Sequence, residues 1–263
     1  MVSLWSLLRD ARYAAPGWVG RRLPAPDAAA AMRIGAGLAR EGVGVTYGYF
    51  QAGDAGAEAI VAAYSALEGA QGAYLSVKAP PLGFDRGWIS VIAGLGMPMV
   101  FDAHAPAQAE ETLALVEAFA GSGCVIPARW RRSLADAQRM REGAGRIRVV
   151  KGEWADPQGD AADVNAAFLA VIKVLAGRRG MVAVATHDPA LAAVALGMLL
   201  AAGTPCELEH LRGLPRRECG AVAREMGVPV RVYVPFGPGW WPYALDKALA
   251  RPYLLGWWIR DRV

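Results

Sequence analysis

Short apolar runs rich in β-branched residues recur along the chain, and most are followed by a longer, Ala-rich stretch with helical character. Eight runs read as strands: 43–50, 73–79, 97–103, 123–129, 146–152, 182–188, 206–211 and 230–236. The stretches 54–69, 106–120, 132–142, 161–177, 189–202 and 215–226 read as helices between them. Strands alternating with helices predict a parallel sheet. Eight such units with near-continuous apolar strands predict an α/β fold, a single (β/α)₈ TIM-type barrel. The whole chain, 1–263, reads as one domain, with 1–22 a short N-terminal extension. An open doubly wound sheet would want a glycine-rich phosphate turn after its first strand, and "FQAGDAGAE" lacks the GxGxxG spacing.

Length agrees with this reading, because such barrels typically take about 250 residues. With 54% hydrophobic residues there is enough apolar material for a large core. The net charge of +4 is mild, and the basic residues are scattered apart from clusters such as Arg129, Arg131 and Arg132. That pattern is a solvated helix surface, and no nucleic-acid partner is expected. Three cysteines without CxxC spacing fit buried thiols in a reducing compartment, and a cytoplasmic location is the expectation. The apolar run 189–203 is shorter than the ~20 residues a membrane span needs. The first residues show no signal-peptide pattern. Leu4, Trp5, Leu7 and Leu8 cluster on a short helical stretch, read as packing against the barrel end, with contact to a membrane surface as the alternative.

In a (β/α)₈ barrel the chemistry sits where the strands end at their C-termini. Polar residues collect there: Lys78 on the second strand, Asp102 and His104 on the third, Lys151, Glu153 and Trp154 after the fifth, and Thr186, His187 and Asp188 after the sixth. On the seventh strand Glu207, Glu209 and Leu211 share one face by period-two alternation, and Tyr233 lies in the eighth. Arg148 sits inside an apolar strand, so it needs a buried partner, and a polar cluster is expected around it.

These segments resemble, in order, the proline dehydrogenase family, whose members are flavin enzymes on (β/α)₈ barrels. The resemblance runs from about residue 22 onward. "LSVK" and "VFDA" are similar to the segments bearing the family's second-strand lysine and third-strand aspartate. "RIRVVKGEW" resembles its Arg-x-Val-Lys-Gly segment, "ATHD" its Ala-Thr-His-Asn, and "ELEHLRGL" its Glu-Phe-Gln-x-Leu-x-Gly-Met. "VRVYVPFGPGWWPY" is similar to its eighth strand and the start of its last helix. The resemblance implies noncovalent FAD, with Arg148 beside the flavin N5 and Lys151, Thr186 and His187 along the cofactor. It implies Lys78 and Asp102 as an ion pair in the substrate pocket, acting with Arg148 in catalysis. Leu211, Tyr233 and Tyr243 would wall the substrate. It further implies a small-molecule substrate and a quinone or other electron acceptor.

The departures fall at functional positions. Where the family's last helix carries Tyr-x-x-Arg-Arg-x-x-Glu, this chain has Tyr243, Asp246, Lys247 and Ala250. The paired guanidinium forks that would clamp a carboxylate are replaced by one point charge and one like-signed repulsion. Pro127 stands for a flavin-contacting glutamine, Ala52 for a glutamate, Trp154 for a tyrosine, Glu153 for an alanine. The expectation is a flavin-dependent amine oxidoreductase acting on something other than free proline. Trp154, Asp246 and Lys247 then join the substrate contacts, and aromatic faces offer cation–π attraction to an amine. Two alternatives stay open: a metal-dependent barrel enzyme using a rim of Asp102, His104, Glu153, His187 and Glu209, and a non-catalytic binding barrel.

Overall fold

The computed structural model describes residues 25–51, 55–70, 72–102 and 105–240. Eight strands follow one another around a closed parallel barrel: β1 (Gly44–Tyr49), β2 (Tyr74–Lys78), β3 (Met99–Asp102), β4 (Gly123–Pro127), β5 (Ile147–Val150), β6 (Val182–Ala185), β7 (Cys206–Leu211) and β8 (Val230–Phe236). β8 closes on β1 with Thr46 opposite Tyr233. All eight expected strands are present, and most are shorter than their apolar runs. After β6, for example, the Thr186 hydroxyl accepts the Asp188 N–H, and that turn ends the ladder at Ala185.

Among the described residues eight α-helices pack outside: α1 (Ala28–Arg40), α2 (Ala57–Ser65), α3 (Arg86–Ala93), α4 (Ala109–Ala118), α5 (Ser133–Met140), α6 (Val164–Leu175), α7 (Pro189–Ala201) and α8 (Arg217–Glu225). Asp27, Asp85, Asp163 and Asp188 start α1, α3, α6 and α7, each carboxylate accepting first-turn N–H groups left without helical partners. α1 and α3 escaped the sequence reading. Among the described residues no helix is long and apolar enough to cross a membrane.

Each strand has two faces. The outward residues, such as Val45 and Tyr47, Leu75 and Val77, or Val182 and Val184, are buried against the helices in two apolar clusters. Cys124, Cys206 and Cys219 are buried thiols, as expected, and form no disulfide. Burial pushes the Cys124 thiol up to about 12, far from the range of a reactive thiolate. The inward face is different in kind. Arg146, Arg148, Glu207, Glu209, Tyr74, Ser76, Arg231 and Tyr233 fill the barrel, and small residues opposite make room for them. A Cβ on Gly48 would lie 1.7 Å from the Tyr233 hydroxyl, so only glycine fits there.

At the N-terminal end of the barrel a single buried arginine ties the loops. Arg178 donates to the carbonyls of Arg141, Gly143, Gly145 and Met181 at 2.6–3.2 Å.

Candidate active site

The barrel interior is a chain of alternating charges. Arg231 meets Glu207 at 2.9 Å, Glu207 meets Arg146 at 2.5 Å, and Arg146 meets Glu209 at 2.6 Å. Glu209 then faces Arg148 at 3.6 Å, and Arg148 reaches Asp102 at 3.1 Å. Three cations and three carboxylates thus run from the floor of the barrel to its C-terminal rim. Burial opposes the charge on Glu209, but Arg146 and Arg148 outweigh it and hold its carboxyl below the usual range. Burial likewise opposes the charge on Arg148, and Glu209 and Asp102 more than offset it.

Arg148 is the end of this chain that the rim uses. Its Nη2 also donates to the Ser76 hydroxyl at 3.3 Å, and its guanidinium lies 4.9 Å from the Tyr233 ring centre. Its Nε is buried and has no hydrogen-bond partner. The polar cluster expected around Arg148 is therefore present, built by Asp102, Glu209, Ser76 and Tyr233.

One expected contact is not formed. Lys78 and Asp102 are register partners on adjacent strands, yet they do not pair. Arg148 takes Asp102 from two strands away, over β4. The Lys78 ammonium instead donates to the Tyr49 carbonyl at 2.9 Å and the Tyr233 hydroxyl at 3.4 Å, and sits 3.8 Å over the Phe50 ring. Two aromatic faces at this end of the barrel are thus covered by the protein's own cations, Phe50 by Lys78 and Tyr233 by Arg148. The sequence expected such faces to meet a ligand amine; among the described residues Trp154, 52% exposed, is the aromatic of the expected set that faces outward.

The loops above the strands hold the remaining positions. Lys151 is partly exposed and faces Asp188 at 3.6 Å. Thr186 is buried and its hydroxyl serves the turn into α7. His187 is engaged through both ring nitrogens: Nδ1 lies 2.6 Å from the Pro215 carbonyl, and Nε2 accepts the Leu211 N–H at 3.1 Å. That pairing assigns the neutral ring with its proton on Nδ1. His187 therefore links the loop after β6 to the end of β7, and its ring stacks on His210 at 5.0 Å. Leu211 is half-buried at that junction.

Trp154 and Glu153 belong to a loop gripped through its backbone. Arg129 donates to the Gly152 and Glu153 carbonyls and pairs with Asp160, and the Trp130 indole donates to the Trp154 carbonyl at 2.8 Å. The Arg131 N–H donates to Asp156 at 2.9 Å. The basic cluster read as a solvated surface is in part this clamp. Tyr243, Asp246 and Lys247 lie outside the described residues, as do Ala52, His104 and the segment with Leu4 and Trp5. Among the described residues no group of three or more His, Cys, Asp or Glu side chains is placed to hold a metal ion. Asp102 and Glu209 are committed to arginines, and His187 to backbone.

The sequence reading missed Arg146, Arg231 and Ser76. The signal was available for the arginines: each sits in an apolar strand, in step with Arg148 or with the inward positions of its neighbour.

No family model matches the chain. Two curated proteins are similar to it, both called proline dehydrogenase 1. One, from Bacillus subtilis strain 168, is 27% identical over 201 residues, covering 68% of this chain and 66% of that protein. The other, from Bacillus subtilis subsp. natto, is 26% identical over the same length and coverage. The match thus spans just under two thirds of each relative. Among solved structures, proline utilization A from Corynebacterium freiburgense aligns with a TM-score of 0.68 at 19% identity, over 100% of this chain and 34% of that one. Proline utilization A from Bdellovibrio bacteriovorus, inactivated by N-propargylglycine, aligns at 0.69 and 16% identity, over 81% of this chain and 30% of that one. The structural likenesses speak for the barrel alone; joined to the curated matches and the ordered strand-end motifs, they make this chain a divergent relative of the proline dehydrogenases.

Proposed function

We propose that this barrel is a flavin-dependent oxidoreductase of the proline dehydrogenase kind, oxidising the C–N bond of an amine or proline-related substrate other than free proline to an imine. The observation that carries the reading is Arg148, a guanidinium fixed at the rim by Asp102 and Ser76 with one buried donor, Nε, unused.

The residues present fit FAD. Two positions beyond Val125 and Arg148, and two beyond Ala183, Pro127, Val150 and Ala185 fall on the inward face by alternation, a small apolar patch suited to a flat ring system. Arg148 and Lys151 supply positive charge beside it, and Thr186 a hydroxyl. When bound, FAD supplies the acceptor for a two-electron hydride transfer. Arg148 would favour negative charge developing near it. Its own position is set by Asp102 and Glu209, which keep it from collapsing onto an incoming anion. The Lys78 ammonium orients the Tyr233 hydroxyl, and Tyr233 and Leu211 bound the substrate space. His187 acts at one remove, holding the loop that carries Thr186. Electrons would leave to a quinone or similar small acceptor.

Substrate choice follows from the segment that resembles the family's last helix in sequence. With Asp246 and Lys247 in place of an arginine pair, a free carboxylate loses its bidentate partner. The test has two parts. The purified protein should carry a flavin spectrum, or acquire one on titration with FAD, and Arg148→Ala should weaken that binding. Under anaerobic conditions, proline amides or cyclic amines should bleach the flavin faster than free proline does. Rapid bleaching by free proline would overturn the substrate reading, and equal FAD binding by both proteins, or none by the wild type, would overturn the cofactor reading.

A further inference from the structure

The charges that line the barrel interior compensate one another. Arg231, Arg146 and Arg148 stand against Glu207, Glu209 and Asp102, and among the described residues each finds its ion partners within that set. Arg148, the member that the rim uses, therefore does not present a bare positive charge. Two carboxylates lie on it, and they differ in kind.

Asp102 is partly open to solvent and accepts a hydrogen bond from Arg148 Nη2, as the Ser76 hydroxyl does. Glu209 is only 2% exposed. Its Oε2 takes Arg146 at 2.6 Å, and its Oε1 faces Arg148 Nη1 at 3.6 Å without a hydrogen bond. Toward Arg148, then, Glu209 contributes charge and no directed bond. Water screens the carboxylate of Asp102, whereas that of Glu209 acts through the protein interior, where a charge is felt more strongly.

Reduction adds negative charge to a flavin. A cation beside the ring favours the reduced form, and a carboxylate that offsets the cation weakens that preference. In the stretch ELEHLRGL, Glu209 stands where the resembling motif has glutamine, so the compensating charge is a feature of this chain.

We propose that Glu209, acting through Arg148, sets the reduction potential of the bound flavin and holds it below the value that an uncompensated arginine would give. The inference rests on the flavin reading above. A lower potential makes the flavin a weaker oxidant toward the amine and a readier donor to the acceptor.

Potentiometric titration of the FAD-loaded protein at neutral pH tests this. Glu209→Gln keeps the shape of the side chain and removes its charge. At a fixed applied potential its ratio of reduced to oxidised flavin should exceed that of the wild type about tenfold, a rise of about 30 mV for a two-electron couple. Glu209→Asp keeps the charge on a shorter side chain, so its potential should stay near the wild-type value. A purely geometric role would rank the two the other way, because aspartate disturbs the packing more than glutamine does. Asp102→Asn removes the solvent-screened carboxylate and should raise the potential by a smaller amount, which keeps the test open if Glu209→Gln does not fold. Far-ultraviolet dichroism identifies the folded variants. Folded charge-removing variants with the wild-type potential overturn the proposal and leave the flavin reading standing, as does an aspartate variant that shifts as far as the glutamine one. A wild type that takes up no FAD overturns both.

Discussion

Arg148 and Asp102 meet at 3.1 Å although they stand on β5 and β3, with β4 between them. The contact passes over β4 on the inward face, so it reports on the inside of the fold and on the site together. Arg148→Met should destabilise the protein by about 3 kcal/mol, because it leaves Asp102 and part of Glu209 without their cation. Asp102→Asn should cost less, about 1 kcal/mol, since Asp102 is partly open to solvent and Arg148 keeps Glu209. Urea unfolding of the two variants ranks them. The reverse order would mean that Arg148 is not held as described.

Glu209 makes stability depend on acid in a defined direction. Its carboxyl titrates below the ordinary range when folded, so its contribution is complete above the unfolded value of about 4.3. It is lost as pH falls through the lower folded value. Glu209→Gln should flatten the acid limb of the stability curve relative to wild type, and lower stability near neutrality. Parallel acid limbs would show that Glu209 does not carry the effect.

Gly48 should tolerate no side chain. Gly48→Ala pushes a methyl into the Tyr233 hydroxyl and dislodges it from Lys78, at an expected cost of about 1–3 kcal/mol. Tyr233→Phe combined with Gly48→Ala should recover part of that loss, which a double-mutant cycle measures. Additive losses would count against the clash.

Arg178 should matter more than its distance from the rim suggests. Arg178→Met strands the carbonyls of Arg141, Gly143, Gly145 and Met181, and about 3 kcal/mol or more should be lost. Arg178→Lys should restore only a fraction, because one ammonium cannot span four acceptors. Thermal unfolding distinguishes the two.

The barrel was legible because its strands are apolar on the face that meets the helices, and eight such runs separated by helices admit few other folds. Strand ends were read too long because residues such as Thr186 and His187 continue the local pattern while spending their hydrogen bonds on turns. Arg148 announced a polar cluster by its chemistry alone. Its partners could not be ranked from sequence: Lys78 is beside Asp102 on the adjacent strand, yet the side chain that reaches Asp102 starts two strands away. Which aromatic faces stay open was equally hidden, since the cations covering Phe50 and Tyr233 come from other strands.

The first residues of the loop after β5 are gripped through main-chain atoms: Arg129 and the Trp130 indole bind the carbonyls of Gly152, Glu153 and Trp154, while Asp156 and Asp160 anchor the rest of the loop through their side chains. Carbonyls are common to every residue, so these contacts hold positions 152–154 whatever side chains stand there. Substitution at positions 153 and 154 therefore leaves these carbonyl contacts in place. A library randomised at those two sites should yield mostly folded proteins that differ in what they accept at the barrel mouth.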